Sequence, residues 1–230
     1  TDHGFYMGMI ENYADTSSKM SKNEWTMPMH NLNRPENVTV ESLGARADLF
    51  SSVLTQAIIK PYPYWHPKVW KAWLTNNIQV ALQSFDYDVH KSAWADVANA
   101  AEEFNDPGNF TTFIGYEFTT STDVEGGNLH RNVIFNSSDA PIRPWTRIDS
   151  INPEDLWTWM DGLRDQGLDS LAMPHNSNGS NGQMFEVETF IGSAISKEYS
   201  EKRMRNEPVV EITQIKGTSD THPLLSPDDE

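Results

Sequence analysis

The run Asn152-Pro-Glu-Asp-Leu-Trp-Thr-Trp-Met-Asp-Gly-Leu-Arg-Asp-Gln-Gly167, followed almost at once by Ser170-Leu-Ala-Met-Pro-His175-Asn176, decides the reading of the fold. Asn152 is a helix N-cap residue, because its side-chain oxygen can accept from an unpaired first-turn N–H. Pro153 fits the first helical position, and Asp155 lies near the positive end of the helix dipole. Leu156, Trp159, Met160 and Leu163 recur at helical spacing and predict the buried stripe. Gly167 ends the helix. Ser170 to Met173 then predicts a short buried strand that delivers Pro174, His175 and Asn176 into a polar loop.

The same alternation extends in both directions. Upstream, Phe110 to Phe118 is rich in β-branched and aromatic residues and predicts a strand. Leu129 to Phe135, reached through Gly126-Gly127, predicts another. Helices are predicted over 45–60 (Leu49, Val53, Ile58, ended by Pro61-Tyr62-Pro63), over 67–85 (Trp70, Trp73, Leu74, Ile78, Leu82) and over 89–104 (Trp94, Val97, Ala98, Ala101). Residues 12–44 are polar and read as a long irregular excursion, either an insertion or part of a site's rim. Downstream, a helix over 195–205 precedes a strand over 209–215. Helix and strand in turn with short links predict one α/β domain over 1–230, with a largely parallel sheet and a whole or distorted (β/α) barrel. Such barrels place chemistry at the C-terminal ends of their strands.

Composition narrows the function classes. The formal net charge of −16 repels phosphate backbones and anionic lipid, which argues against nucleic-acid and membrane partners and for a small-molecule substrate. An acidic protein still accepts a phosphate ester when cations supply local positive charge. Cysteine is absent, which excludes disulfides, zinc–thiolate sites and a cysteine nucleophile. Any metal must be held by His, Asp and Glu, a donor set that suits Zn, Mn or Fe(II). No stretch approaches the run of about 18 apolar residues that a membrane-spanning helix needs. The opening Thr1-Asp2-His3 and the polar close Ser226-Pro-Asp-Asp-Glu230 read as cuts within a longer protein, which leaves compartment and any export signal open.

The histidines differ in context. His66 and His90 lie at predicted helix starts and read as surface residues; His30 carries no signal. His175 leaves a strand into Asn176-Ser-Asn178-Gly-Ser-Asn181-Gly182, as a site at a barrel mouth requires, although a turn-capping role fits the same pattern. Glu117 interrupts an apolar strand. It either faces solvent or points into a polar centre, where burial without partners costs several kcal/mol. Alternation puts His130, Asn132 and Ile134 on one face and Leu129, Arg131 and Val133 on the other, so Arg131 reaches His130's side only through a bulge. Asp2 adjoins His3 and suits a supporting role beside a metal-bound imidazole. Asp220-Thr-His222 has Asp-x-His spacing, which places both side chains on one face of an extended segment. The asparagines Asn176, Asn178 and Asn181 can bind substrate hydroxyls or phosphate, or only shape the loop. No nucleophile elbow, Walker loop or dinucleotide fingerprint is present.

Taken together, Thr1-Asp-His3-Gly4, Asn109-Phe-Thr-Thr-Phe-Ile-Gly-Tyr-Glu117-Phe118, Gly127-Asn-Leu-His130-Arg-Asn-Val-Ile-Phe135 and Met173-Pro-His175-Asn-Ser-Asn178 resemble a bacterial family within the PHP (polymerase and histidinol phosphatase) superfamily. So do Arg205-Asn-Glu-Pro-Val-Val-Glu-Ile-Thr-Gln-Ile-Lys-Gly217 and Thr221-His-Pro-Leu-Leu-Ser-Pro227. The resemblance implies a distorted barrel binding up to three divalent metals in an intact protein, usually for phosphoester hydrolysis. It implies that Glu117 is a bridging carboxylate and that His3, His130 and His175 are ligands, with Asp2, Asp220 and His222 secondary. It also implies further His-x-His and Asp-x-His motifs outside this chain, so the fragment alone need not be active.

These residues predict a metal-dependent hydrolase in which cations lower the pKa of a bridging water. Glu117 and His175 sit at the reacting centre, and Arg131 steadies an anionic substrate. Two other readings stand beside it. One is a catalytically degenerate module that binds a glycan or nucleotide-like ligand. The other is a metallohydrolase acting on an amide or sulfate ester.

Overall fold

The computed structural model describes residues 2–44, 46–48, 65, 67, 70, 85–121, 127–220 and 224. The chain divides into two compact units, one of Thr1–Phe5 with Val97–Glu230 and one of Tyr6–Asp96. The described helices are α1 (Met9–Ala14), α2 (Tyr87–Glu103), α3 (Pro153–Arg164) and α4 (Lys197–Asn206). The strands are β1 (Gly115–Phe118), β2 (Arg131–Phe135), β3 (Ser170–Pro174), β4 (Thr213–Gln214) and β5 (Gly217–Thr218). The protein is therefore mixed α/β, and no closed barrel is present among the described residues.

The larger unit is built on the sheet β1-β2-β3, and both of its pairings are antiparallel. This corrects the expectation of a largely parallel sheet. Helix α3 lies between β2 and β3, which is the sequence signature of a right-handed crossover. Yet the link begins and ends at one edge of the sheet, because Asn136 N, just after β2, donates to Asp169 O, just before β3, at 3.2 Å. A link closed on itself in this way returns the chain antiparallel, and only strand pairing, not element order, records that.

Helix α3 starts as its sequence dictates. Asn152 Oδ1 accepts from Glu154 N at 2.8 Å, and Pro153 fills the first turn. Its buried stripe is Pro153, Leu156, Trp157, Met160 and Leu163, so Trp157 takes the inward place expected of Trp159. The 153/156/157/160 spacing follows one helix face more closely than a stripe through 159. Trp159 sits half-buried at the margin, edge-on to Phe135 and stacked on Trp145. Tyr116, Phe118, Val133, Phe135 and Ala172 complete this core. Replacing the cap, Asn152→Ala, is expected to cost about 1 kcal/mol and to lower Tm by about 2–4 °C in a thermal melt.

Other strands are shorter than expected. The run 110–118 joins the sheet only over β1; Phe110 forms an isolated bridge with Asp106, and Phe110 and Phe113 are exposed. The run 209–215 forms only β4, which turns into β5, and Val209, Ile212 and Ile215 face outward. In both places β-forming composition is not matched by a paired, buried strand.

The smaller unit packs α1 with 3₁₀ turns at Met20–Lys22, Glu24–Met29 and Pro35–Asn37 around Met9, Tyr13, Met20 and Met29. Short 3₁₀ turns are what a polar, Pro-bearing stretch can form without a continuous apolar face. Helical turns cover 40–44 and 46–48. The rest of the helix expected over 45–60, most of that over 67–85, and His66 lie outside the described residues. His90, expected at the surface, is instead fully buried against the Phe85 ring at 5.1 Å. It closes the first turn of α2, on the face that packs against Phe85. No helix among the described residues is long and apolar enough to cross a membrane.

Candidate metal centre

The sheet brings three distant segments to one edge. Glu117 lies near the end of β1, His130 immediately before β2 and His175 immediately after β3. Register fixes this, since Glu117 pairs with Asn132 and Arg131 with Pro174. His175 N donates to His130 O at 3.1 Å, which carries the ladder one step further and joins the backbones of the two histidines. A one-residue parallel bridge sets His3 beside Glu117, with Glu117 N donating to Asp2 O at 2.8 Å. Partners across a ladder and residues two apart along a strand share a face, so Glu117, His130 and His175 converge. Gly127 permits the approach of the loop before His130 to the loop after His175. A Cβ there would stand 2.4 Å from Ser180 O.

The ligand atoms of Glu117, His130 and His175 all lie within 4.8 Å of one another, and this group can hold a metal ion. Glu117 Oε1 is 3.0 Å from His130 Nδ1 and 3.0 Å from His3 Nδ1, and its Oε2 is 3.5 Å from His175 Nε2. Thr119 Oγ1 donates to Glu117 Oε1 at 2.8 Å and lies 2.6 Å from His3 Nδ1. The side chains of Glu117, His130 and His175 are largely buried, whereas that of His3 is 52% exposed.

Burial pushes the Glu117 carboxyl up. Hydrogen bonds with His130, His175, His3 and Thr119 outweigh it and hold the carboxyl well below the usual carboxylate range. Burial pushes the His130 imidazole below its ordinary value, against the hydrogen bond and charge of Glu117 and with the help of His175 and His3. The group is thus a carboxylate facing a neutral imidazole, which is the protonation pattern that metal ligands need.

Two observations test whether a cation fits. First, Asn176 Oδ1 accepts from Gln214 Nε2, which turns Asn176 Nδ2 toward His130 Nδ1 at 3.3 Å. A cation held by Glu117 and His130 would take the place of the Nδ1 proton that faces the carboxylate at 3.0 Å. The buried His175 Nδ1 also has no hydrogen-bond partner among the described residues. Second, bonds of about 2.1 Å to one metal separate neighbouring ligand atoms by about 3.0–3.4 Å, and Glu117 lies 3.0 Å from His130 and 3.5 Å from His175. The residues fit the group.

The remaining candidates fall elsewhere. Asp2 is exposed and contributes its carbonyl. Asp220 is exposed and stands outside the metal-holding group, and His222 lies outside the described residues. Arg131, expected to steady an anion, is buried on the opposite face of β2, where its Nε donates to Glu207 Oε1 at 2.8 Å and its Nη1 to Leu129 O at 2.5 Å. Strand alternation without a bulge sends it there. Asn176 is buried, and both ends of its amide are engaged within the protein, so it shapes the site instead of presenting free groups. Asn178 is exposed, with its amide 3.5 Å from Lys216 O; Asn181 is exposed as well. Sequence reasoning passed over Thr119, two residues from Glu117 on the same face, and Gln214, which holds Asn176. The period-2 spacing of Thr119 was a usable signal; for Gln214 there was none.

Fold and site together define a mixed α/β protein with a buried Glu-His-His group able to hold a metal ion. The chain belongs to the DUF3604 family, described as protein of unknown function, whose profile matches residues 1–230. No curated protein and no solved structure matches it.

Proposed function

We propose that this chain carries the metal centre of a hydrolase resembling the PHP superfamily, acting on a small phosphate ester. The observation that carries the reading is the Glu117 carboxylate facing His3, His130 and His175, the four residues coming from four separate segments of the fold. Glu117, His130 and His175 would hold a divalent Zn, Mn or Fe(II) ion, with His3 as a fourth ligand or a neighbour. When bound, such an ion supplies Lewis acidity, lowering the pKa of water and neutralising charge on a leaving oxygen. His3, half-exposed and next to Thr119 and Glu117, is the group placed to exchange a proton between the site and solvent. The acidic surface disfavours nucleic-acid substrates. We include in this reading that the sheet and the parallel His3–Glu117 bridge form one arc of a distorted barrel.

The test is metal analysis of the purified protein joined to a hydrolysis panel with added Mn or Zn. Turnover of phosphate esters that vanishes with chelator and in His175→Ala is the expected result. Turnover of amides or sulfate esters alone would keep the metal centre and change the bond. Absence of bound metal, together with ligand-induced thermal stabilisation indifferent to chelator, would replace the hydrolase by a binding module.

A further inference from the structure

We propose that Glu207 is a positioning residue for His130, acting through Arg131; the inference rests on the metal-centre reading above. Arg131 follows His130 directly, and alternation turns its side chain to the opposite face of β2. There its Nη1 donates back to Leu129 O, the residue before His130, while its Nε donates to Glu207 Oε1. The guanidinium therefore brackets His130, covalently on one side and by a hydrogen bond on the other. The carboxylate that holds the guanidinium is itself fixed from two helices. Glu207 Oε1 accepts from Trp157 Nε1 of α3 at 2.7 Å, and Oε2 accepts from Arg203 Nε of α4 at 3.1 Å. Its side chain is 2% exposed.

Such a node is poorly explained as a source of stability. The desolvation of a buried ion pair roughly cancels its Coulomb gain. What it supplies is direction, since three donors on one carboxylate allow little latitude. The constrained backbone is the segment that matters to the site. His130 O accepts from His175 N, so a displacement at the start of β2 reaches both imidazoles. Metal ligands must be held to within about 0.5 Å, so loosening this bracket weakens binding without removing a ligand.

The experiment is calorimetric titration of the whole chain with Mn and with Zn, alongside thermal melts in chelator. Three variants are compared with the unsubstituted protein: Glu207→Gln, Arg131→Lys and Leu163→Ala. Glu207→Gln keeps size and removes charge. Arg131→Lys keeps charge and removes the forked pair of donors, and it serves if Glu207→Gln does not fold. Leu163 is buried on α3 and touches no member of the bracket by hydrogen bond, so its variant shows what lost stability alone does to metal affinity. The expected result is a 10- to 100-fold weaker affinity, roughly, in Glu207→Gln and in Arg131→Lys, with Leu163→Ala binding as the unsubstituted chain does. Folded Glu207→Gln or Arg131→Lys protein binding metal within about twofold of the unsubstituted chain would overturn the inference and leave the metal centre standing. An unsubstituted chain that takes up neither ion would remove the centre itself.

Discussion

Glu117→Gln is expected to lower affinity for Mn or Zn by more than about 100-fold, a larger loss than changes to groups around a ligand produce. The substitution keeps the volume of the side chain, so the buried edge of the sheet remains filled. It removes the formal charge that three imidazoles face, at 3.0, 3.0 and 3.5 Å. It also places an amide N–H₂ where an acceptor is required, since Thr119 Oγ1 and His3 Nδ1 converge on the same oxygen. His175→Ala removes a neutral nitrogen donor and leaves a gap in its place, so it should bind weakly as well. Equilibrium dialysis followed by metal analysis reads both variants. Unchanged affinity in E117Q would mean that the cation, if any, is held elsewhere, and the reading of this edge as a metal centre would be lost.

The parts of this molecule legible in the sequence are those decided by short-range rules. The cap at Asn152, the helix after it and the turn at Gly167 follow from neighbours within one or two turns. The candidate ligands stood out because Glu117 and His130 interrupt apolar strands, where a titratable side chain is costly without a partner, and because His175 leaves a strand into a polar loop. Arg131 was separable from His130 by period 2 alone. Long-range facts were not legible. Strand direction depends on where Asn136 meets Asp169, thirty-odd residues apart in the chain, and nothing local marks that meeting. Trp157 turns inward with its helix face, but the Glu207 carboxylate that accepts from its indole N–H lies 50 positions away. Apolar composition at 209–215 looked like a core strand, but the segment turns over into a hairpin whose side chains brace the Asn176 loop through Gln214 and Ser219. Asn176 itself was readable as a loop residue, and its left-handed backbone, φ 62°, suits asparagine. Its service to His130 was not, because that contact spans 46 positions.

Acidification should destabilise the apoprotein and strip its metal, with both effects appearing as the pH falls below about 6.5, the ordinary imidazole value. The sign follows from two groups. His130 is held below its ordinary pKa, chiefly by burial, so below that value the unfolded chain takes up a proton that the folded chain refuses, and unfolding gains. Glu117 is also held low, despite burial, by hydrogen bonds with His130, His175, His3 and Thr119. Its contribution is present above the ordinary carboxylate pKa of about 4.3 and fades as pH falls through and below it. The two contributions thus act in the same direction over adjoining pH ranges. Metal adds to the slope, because protons and cation compete for the same nitrogens. At a free metal concentration of about 100 Kd, binding stabilises the fold by about 2.7 kcal/mol, an increment that shrinks as Kd rises with acidity. For a chain of this size each kcal/mol moves Tm by about 2–4 °C. Thermal melts from pH 8 to pH 4, with Mn and with chelator, should therefore converge at the acid end after separating at the alkaline end. In E117Q the two sets should nearly coincide throughout. Melts that stay separated by a constant interval down to pH 4 would show that the bound cation does not depend on titrating ligands, and would exclude His130 from its coordination.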